Sequence, residues 1–438
     1  MRDWSPEIVA QAAGVRLLRP MRSPTGGTAG PQRVTIDSRE VAPGDLFVGL
    51  RGHNVDGGRF AGDALAAGAW GVLVSEQHSQ SAPRDADGVV LAADDPLAGL
   101  QALARAWRRA LCAQVIAVTG STGKTSTKDL LTAMLGSQRR VASSRENLNT
   151  EIGLPLSILA APAGTEVLVL EMAMRGTGQI AELAAIAEPD VGVIVNVGPV
   201  HLELLGSLEA IAAAKAELLV DLRPGAVAVL PADEPLLEAH LRDDLHTLTF
   251  GPGGDVAELP EGLELPFASQ HMRLNALAAL AAARAVGVEP PAGRLEVELS
   301  AMRGQRIELP GPVLVVDDCY NANPMSMRAA LDDLATSAAG RRVAVLGDML
   351  ELGSEQNGFH AEIGRYAQEC GVDVLVTVGP LAALMGDRFR GEVHAVPDAA
   401  AATDLVREIV APGDTVLVKG SRGVGLEVVA QGLRAAAE

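Results

Sequence analysis

The sequence predicts an α/β chain of three domains. A small N-terminal α/β domain spans 1–110, and a central phosphate-loop domain with a doubly wound, mainly parallel sheet spans 111–311. A Rossmann-like C-terminal domain spans 312–438. Three observations carry this. The chain has 438 residues, enough for several cores. Short continuous apolar runs alternate with Ala/Leu-rich stretches of helical length, as in parallel strands buried on both faces and joined by crossover helices. The alternation breaks at Leu309-Pro310-Gly311-Pro312 and then restarts.

In order, the first domain opens on a short amphipathic stretch. A Gly/Pro/Thr-rich loop, Ser23–Pro31, precedes a strand at Arg33–Ile36. Pro43-Gly44-Asp45 turns the chain into Leu46–Leu50, and a helix through Phe60–Ala69 and a strand at Gly71–Ser75 follow. In the second domain, strands are expected at Val115–Thr119, Val167–Met172, Val191–Val197 and Ala226–Leu230, with helices near 124–135, 179–187, 207–222 and 270–286. In the third, strands are expected at Val313–Asp317, Arg342–Leu346, Val374–Val378, Val393–Val396 and Thr415–Val418, with helices between them.

Composition narrows the function classes. A net charge of −19 is a poor match to nucleic acid or anionic lipid. No apolar run is long enough to cross a bilayer, and Met1–Glu7 lacks the basic-then-apolar pattern of a secretory signal, so a cytoplasmic location is expected. Cys112, Cys319 and Cys370 have neither zinc nor disulfide spacing. No coiled-coil seam stands out, and a monomer is expected. Of 36 basic residues only four are lysine: Lys124, Lys128, Lys215 and Lys419. Arginine replaces neither a compact ammonium on phosphate nor an amine that must be modified. Lys128 alone is put down to composition.

The strand at Val115–Thr119 runs into Gly120-Ser121-Thr122-Gly123-Lys124-Thr125-Ser126 and a helix. Glycines let backbone N–H groups turn onto phosphate oxygens, and the helix N-terminus adds partial positive charge. Lys124 reaches the β/γ-phosphates in such a loop, and the Thr125 hydroxyl serves Mg²⁺. Val118 stands where the full Walker pattern has glycine, so the match is to a shortened TGxxGKT form. No base-reading NKxD segment exists, which favours ATP over GTP. The next two strands lead to Glu171 and His201, a carboxylate and an imidazole on the side where such sheets bind ligands. Alone, His201 reads as a structural residue, and Lys215 as a solvated lysine paired with a nearby glutamate. Arg105, Arg108 and Arg109 read as a solvated basic face.

Together these segments resemble the Mur ligases, the ATP-dependent amino-acid ligases of peptidoglycan precursor synthesis. The resemblance covers nearly the whole chain. It implies that Thr119–Ser126 holds ATP, that Thr125, Glu171 and His201 serve Mg²⁺, and that Lys215 is carbamylated to a carboxylate-like Mg²⁺ ligand. Lys124, His201 and Lys215 would then carry catalysis. His271-Met272-Arg273-Leu274-Asn275 resembles the family's nucleotide-contacting HxxxN motif, which makes Asn275 an ATP contact. By resemblance Arg303, Tyr320, Asn321, Asn323 and Pro324 also contact the nucleotide, although Arg303 reads equally as a surface charge.

Within the family, several segments resemble the branch that adds D-alanyl-D-alanine to UDP-MurNAc-tripeptide. They are Thr35–Arg39 with Pro43–Phe47, Asn147–Pro155, His201–Glu203, Asp317–Pro324, Gly347–Gly353 and Lys419–Arg422. The DNPR motif of the diaminopimelate-adding branch is absent. Asp37, Ser38 and Arg39 are then expected on the UDP end of the substrate, with a plain turn as the alternative, and Asn147, Asn149 and Thr150 in the substrate cleft. Thr150, Leu204-Leu205, Gln179 and Cys319 depart from the family pattern. Another carboxylate–amine ligase, such as folylpolyglutamate synthase, and a non-ligase P-loop ATPase remain as rival readings.

Overall fold

A computed structural model describes residues 1–20, 30–83, 86–145, 147–267 and 269–437. Most of the predicted Ser23–Pro31 loop lies outside the described residues. Three main sheets follow one another along the chain. The first has five strands, in the order Arg16–Arg19, Val89–Ala93, Gly71–Ser75, Asp45–Val48, Arg33–Thr35, with only the first antiparallel to its neighbour. The second has six, in the order His246–Phe250, Val227–Pro231, Val191–Ile194, Gln114–Thr119, Val167–Glu171, Val141–Ser143, all parallel. The third, also six-stranded, runs Gln305–Leu309, Val313–Asp317, Thr415–Lys419, Arg342–Gly347, Val374–Val378, Glu392–Val396, with an antiparallel first strand.

The inner strands match the apolar runs because burial on both faces demands continuous hydrophobicity. Strand Val167–Glu171 is buried at every position. Differences from expectation have physical causes. The strand from Val191 stops at Ile194, since Asn196 turns its side chain to a neighbouring loop. The expected helix at Phe60–Ala69 is a 3₁₀ turn at Gly57–Phe60 continuing as Ala61–Ala66. Edge strands Arg16–Arg19, Val141–Ser143 and Gln305–Leu309 were not anticipated, being short and half-exposed. Nor was helix Pro96–Leu111, which Asp95 caps through the Leu97 N–H and Pro96 starts.

That helix joins the first two sheets into one core. Its Leu100, Leu103 and Trp107 lie in a single buried cluster with Leu46 and Leu73 of the first sheet and Leu168 and Leu170 of the second. Trp107 Nε1 donates to the Ala161 carbonyl at 3.1 Å. Arg108 is not solvated: it donates to the carbonyls of Ala187 and Glu188 at 2.8 and 2.7 Å, satisfying the end of helix Gln179–Ala187. The third sheet has clusters of its own on its two faces. No helix among the described residues is long and apolar enough to cross a membrane.

Candidate active site

Strand Gln114–Thr119 lies inside the central sheet, between Val167–Glu171 and Val191–Ile194. Parallel neighbours end on the same side, so the loop after the first strand, the last residue of the second and the segment after the third all meet. The loop enters helix Lys124–Gly136, which has no side-chain N-cap bond; its first-turn amides have no intrahelical acceptor and are the donors an anion would take. Gly123 sits at φ 79°, and a Cβ there would stand 2.4 Å from Asn275 Oδ1. Only glycine lets Asn275 approach the loop this closely. The sequence reading missed Asn196, which braces the loop. Its Oδ1 accepts from the N–H groups of Ser121 and Thr122 at 3.1 and 3.0 Å, and its Nδ2 donates to the Thr122 carbonyl at 3.0 Å. A polar residue just past a buried strand was its available signal.

Lys124 is half-buried and donates to the Gly120 carbonyl at 2.8 Å. Burial pushes its ammonium below the usual lysine range; Glu171 opposes this and Arg303 reinforces it. Glu171 is 1% exposed. Its Oε2 accepts from Thr125 Oγ1 and its Oε1 from Asn149 Nδ2, each at 2.9 Å. The Glu171 N–H donates to Ser144 Oγ at 3.1 Å, and the Ser144 carbonyl accepts from Lys128 Nζ at 2.9 Å. Lys128, 3% exposed, also pairs with Asp129 at 2.9 Å. It is a buried strut behind Glu171, which composition alone does not explain.

His201 holds φ 54°, and its Nδ1 lies 2.5 Å from Glu351 Oε2. Burial lowers the His201 pKa, the Glu351 carboxylate opposes the shift, and the charges of Lys124 and Lys215 add to it. Lys215 is not the solvated lysine its neighbours suggest. It is 2% exposed and has no hydrogen bond or ion pair among the described residues. Burial, and then the charge of Lys124, push its ammonium well below the usual range.

The C-terminal sheet supplies the facing wall. The Arg303 guanidinium stacks over the Tyr320 ring, 3.9 Å from its centroid, so it is not a free surface charge. Lys419, 2% exposed, donates to Asp318 Oδ2 at 2.6 Å and to the Asn321 carbonyl at 3.0 Å, which pins the loop carrying Tyr320. Asn323 caps helix Pro324–Ser337, accepting from the Ser326 N–H at 2.9 Å.

Between the two walls lies a cleft of about 1220 Å³. Of the residues singled out in the sequence, it brings together Ser121–Ser126, Asn147, Asn149, Thr150, Glu171, His201, Asn275, Arg303, Tyr320, Asn321 and Asn323. Thr119, Gly120, Lys215 and Pro324 do not line it, nor do Asp37, Ser38 and Arg39. Arg39 folds back on Asp37 at 2.6 Å in an exposed turn, and its guanidinium and N–H hold the Asp37 carboxyl down at about 2. Among the described residues no three His, Cys, Asp or Glu side chains are grouped to hold a metal ion.

Three family models match the chain. They are the Mur ligase family catalytic domain over 32–112, the Mur ligase middle domain over 118–283, and the Mur ligase glutamate ligase domain over 302–422. The chain is 36% identical to UDP-N-acetylmuramoyl-tripeptide--D-alanyl-D-alanine ligase of Bacillus subtilis (strain 168) over 428 residues, covering 91% of this chain and 92% of the relative. A crystal structure of MurF from Acinetobacter baumannii superposes with a TM-score of 0.85 at 29% identity, covering 99% of each chain. MurF ligase from Thermotoga maritima in complex with ADP superposes with a TM-score of 0.78 at 32% identity, covering 92% of this chain and 98% of that one.

Proposed function

The chain belongs to the Mur ligase family, and on that premise we propose that it uses ATP to join D-alanyl-D-alanine to UDP-MurNAc-tripeptide, yielding UDP-MurNAc-pentapeptide, ADP and phosphate. The reading is carried by one observation. A phosphate loop, a buried carboxylate and a stacked Arg–Tyr pair open onto one cleft, in a chain that covers nine-tenths of a relative named for this reaction.

A carboxylate is a poor electrophile. Phosphorylation by ATP converts it to an acyl phosphate; the dipeptide amine adds to its carbonyl carbon, and the tetrahedral species expels phosphate. Such transfers depend on positioning and charge neutralisation. Lys124 and the first-turn amides hold the β/γ-phosphates. Asn275 and the Arg303–Tyr320 stack hold the nucleoside side. Asn147, Asn149 and Thr150 border the acceptor. The N-terminal domain, 1–110, takes the uridine end, the domain over 111–311 takes ATP, and the domain over 312–438 closes the cleft against water.

Mg²⁺ fits the hard oxygen pair of Thr125 Oγ1 and Glu171, already within hydrogen-bonding distance of each other. Bound there, it would neutralise phosphate charge. His201 would complete the set, with Lys215 as its carbamate. Burial and the charge of Lys124 disfavour its ammonium and so favour the neutral amine, the form that adds CO₂; the adduct, after losing a proton, would carry the charge sign a cation site needs.

The test is purified protein with ATP, Mg²⁺, D-alanyl-D-alanine and UDP-MurNAc-tripeptides bearing diaminopimelate, lysine or ornithine at the third residue, read by mass. One tripeptide should gain the dipeptide mass with stoichiometric phosphate. Phosphate release that needs neither acceptor nor amine would make the protein a simple ATPase.

A further inference from the structure

Glu351 belongs to the C-terminal domain, yet it makes its contacts on the central one. Its Oε2 meets His201 Nδ1 at 2.5 Å, and its Oε1 lies 3.7 Å from Arg175 Nε. Its carbonyl accepts the Glu203 N–H at 3.4 Å. Two residues later the backbones come so close that a Cβ on Gly353 would stand 3.3 Å from Glu203 Cα. Both members of the pair occupy the left-handed region, His201 at φ 54° and Glu351 at φ 62°. Neither is glycine, so each carries backbone strain that its surroundings must offset.

The loop presenting Glu351 is tied into its own domain. The Met349 N–H donates to His360 Nε2 and the Leu350 N–H to Ser421 Oγ, both at 2.9 Å. A carboxylate can only accept, so the proton shared with His201 sits on Nδ1. In the neutral ring Nε2 then carries the lone pair, and no other hydrogen bond of this ring exists among the described residues. A free imidazole prefers neither this tautomer nor one orientation. A carboxylate on the second nitrogen supplies both.

We propose that Glu351 is a positioning residue. It fixes His201 as the Nδ1–H tautomer with Nε2 available to the cleft, and it does so only when the C-terminal domain lies against the central one. Domain approach thereby completes the imidazole side of the site. This rests on the ligase reading for its kinetic consequence, but not for the tautomer.

The experiment compares full-length wild type with Glu351→Ala and Glu351→Gln, by ¹⁵N NMR of labelled histidines and by amine-dependent phosphate release. In Glu351→Ala, His201 should lose the Nδ1–H tautomer. Its kcat should fall by about 10–100-fold, the usual cost of deleting such a partner, with KM for ATP little changed. Glu351→Gln keeps an oxygen that accepts from Nδ1–H, so it should retain the tautomer and recover part of kcat. An unchanged His201 tautomer in Glu351→Ala overturns the proposal, whatever the rate. Equal losses of kcat in both variants with the tautomer intact also overturn it, marking a merely structural contact. Wild type without amine-dependent phosphate release would instead sink the ligase reading, and the tautomer comparison would still decide Glu351.

Discussion

Replacing Lys215 by methionine should raise stability and abolish ligation together. The side chain is 2% exposed and unpartnered among the described residues, and its ammonium is already driven toward neutrality by burial and by Lys124. A buried polar group left without a partner costs about 1–3 kcal/mol. Methionine keeps most of the volume and the flexible stem without that cost. In a unit of roughly 200 residues each kcal/mol moves Tm by about 2–4 °C, so an upward shift of several degrees is expected. The assay is scanning calorimetry in buffer stripped of carbon dioxide, with ligation by the same preparation read by mass. A Tm below wild type would refute the claim that the amine is held at a cost; wild-type ligation would refute its role in the site. The chemistry has a second handle. Lys215→Ala should regain some ligation with acetate, which restores the missing carboxylate in the space left. Lys215→Arg should not, because the guanidinium fills that space with the opposite charge.

The other expectations are brief. Lys124→Arg should lose most ligation at saturating ATP, since a planar fork cannot sit where the loop cradles a point charge; near wild-type turnover would remove the phosphate-loop assignment. Gly123→Ala should cost about 1–2 kcal/mol in its left-handed backbone and weaken ATP by displacing Asn275, so an unchanged affinity in titration calorimetry would count against that packing. His360 is buried, with its pKa lowered chiefly by burial against the opposing Gln356 carbonyl. On acidification the unfolded chain therefore takes up this proton first. Stability should be full above about pH 6.5 and fall as pH drops from there toward the folded-state value. His360→Gln should flatten that part of the urea-midpoint profile; an identical slope would show that His360 is not the group responsible.

The parts of the site that were legible in the sequence are those written contiguously. Strand, glycine loop, Lys124 and helix follow one another, and each residue type has a local reason to be there. Glu171 was legible because a strand that is apolar throughout ends on a carboxylate. Asn196 and Glu351 were not, because each acts on a partner that only the sheet order brings near: the phosphate loop 74 or more residues earlier for Asn196, and His201, 150 residues away, for Glu351. Lysine scarcity proved more informative than it first looked. Lys128, Lys215 and Lys419 are all buried, and Lys124 is half-buried. Lys128 Nζ gathers one carbonyl and one carboxylate, and Lys419 Nζ two carbonyls and one carboxylate, around a single nitrogen. A guanidinium, with five donors in a rigid plane, cannot be satisfied in such a spot, whereas exposed positions tolerate it. Val89–Ala93 escaped notice because its alanines weaken the strand signal although all five residues are buried.

The distribution of cores predicts which parts of the molecule would move. Helix Pro96–Leu111 places the first two sheets in one hydrophobic cluster, so separating them would expose Leu100, Leu103 and Trp107 together. Burial of three such side chains is worth roughly 1.5–3 kcal/mol each, which is large against ordinary thermal excursions. The third sheet shares neither of its clusters with the second. It meets the central domain through small contacts, among them the Glu351 pair, the approach of Gly353 to Glu203, and Met325 against Gly198, where a Cβ would overlap the sulfur. The chain between the two, 296–304, has no strand or helix. Opening there breaks polar and backbone contacts and the packing of Met325 on Gly198, but no shared core cluster. The phosphate loop and Glu171 should thus stay fixed relative to the N-terminal domain, while the Tyr320 loop and Glu351 should travel together on the third. A site divided in this way would admit three substrates when open, and would exclude water from an acyl phosphate when the same few contacts form.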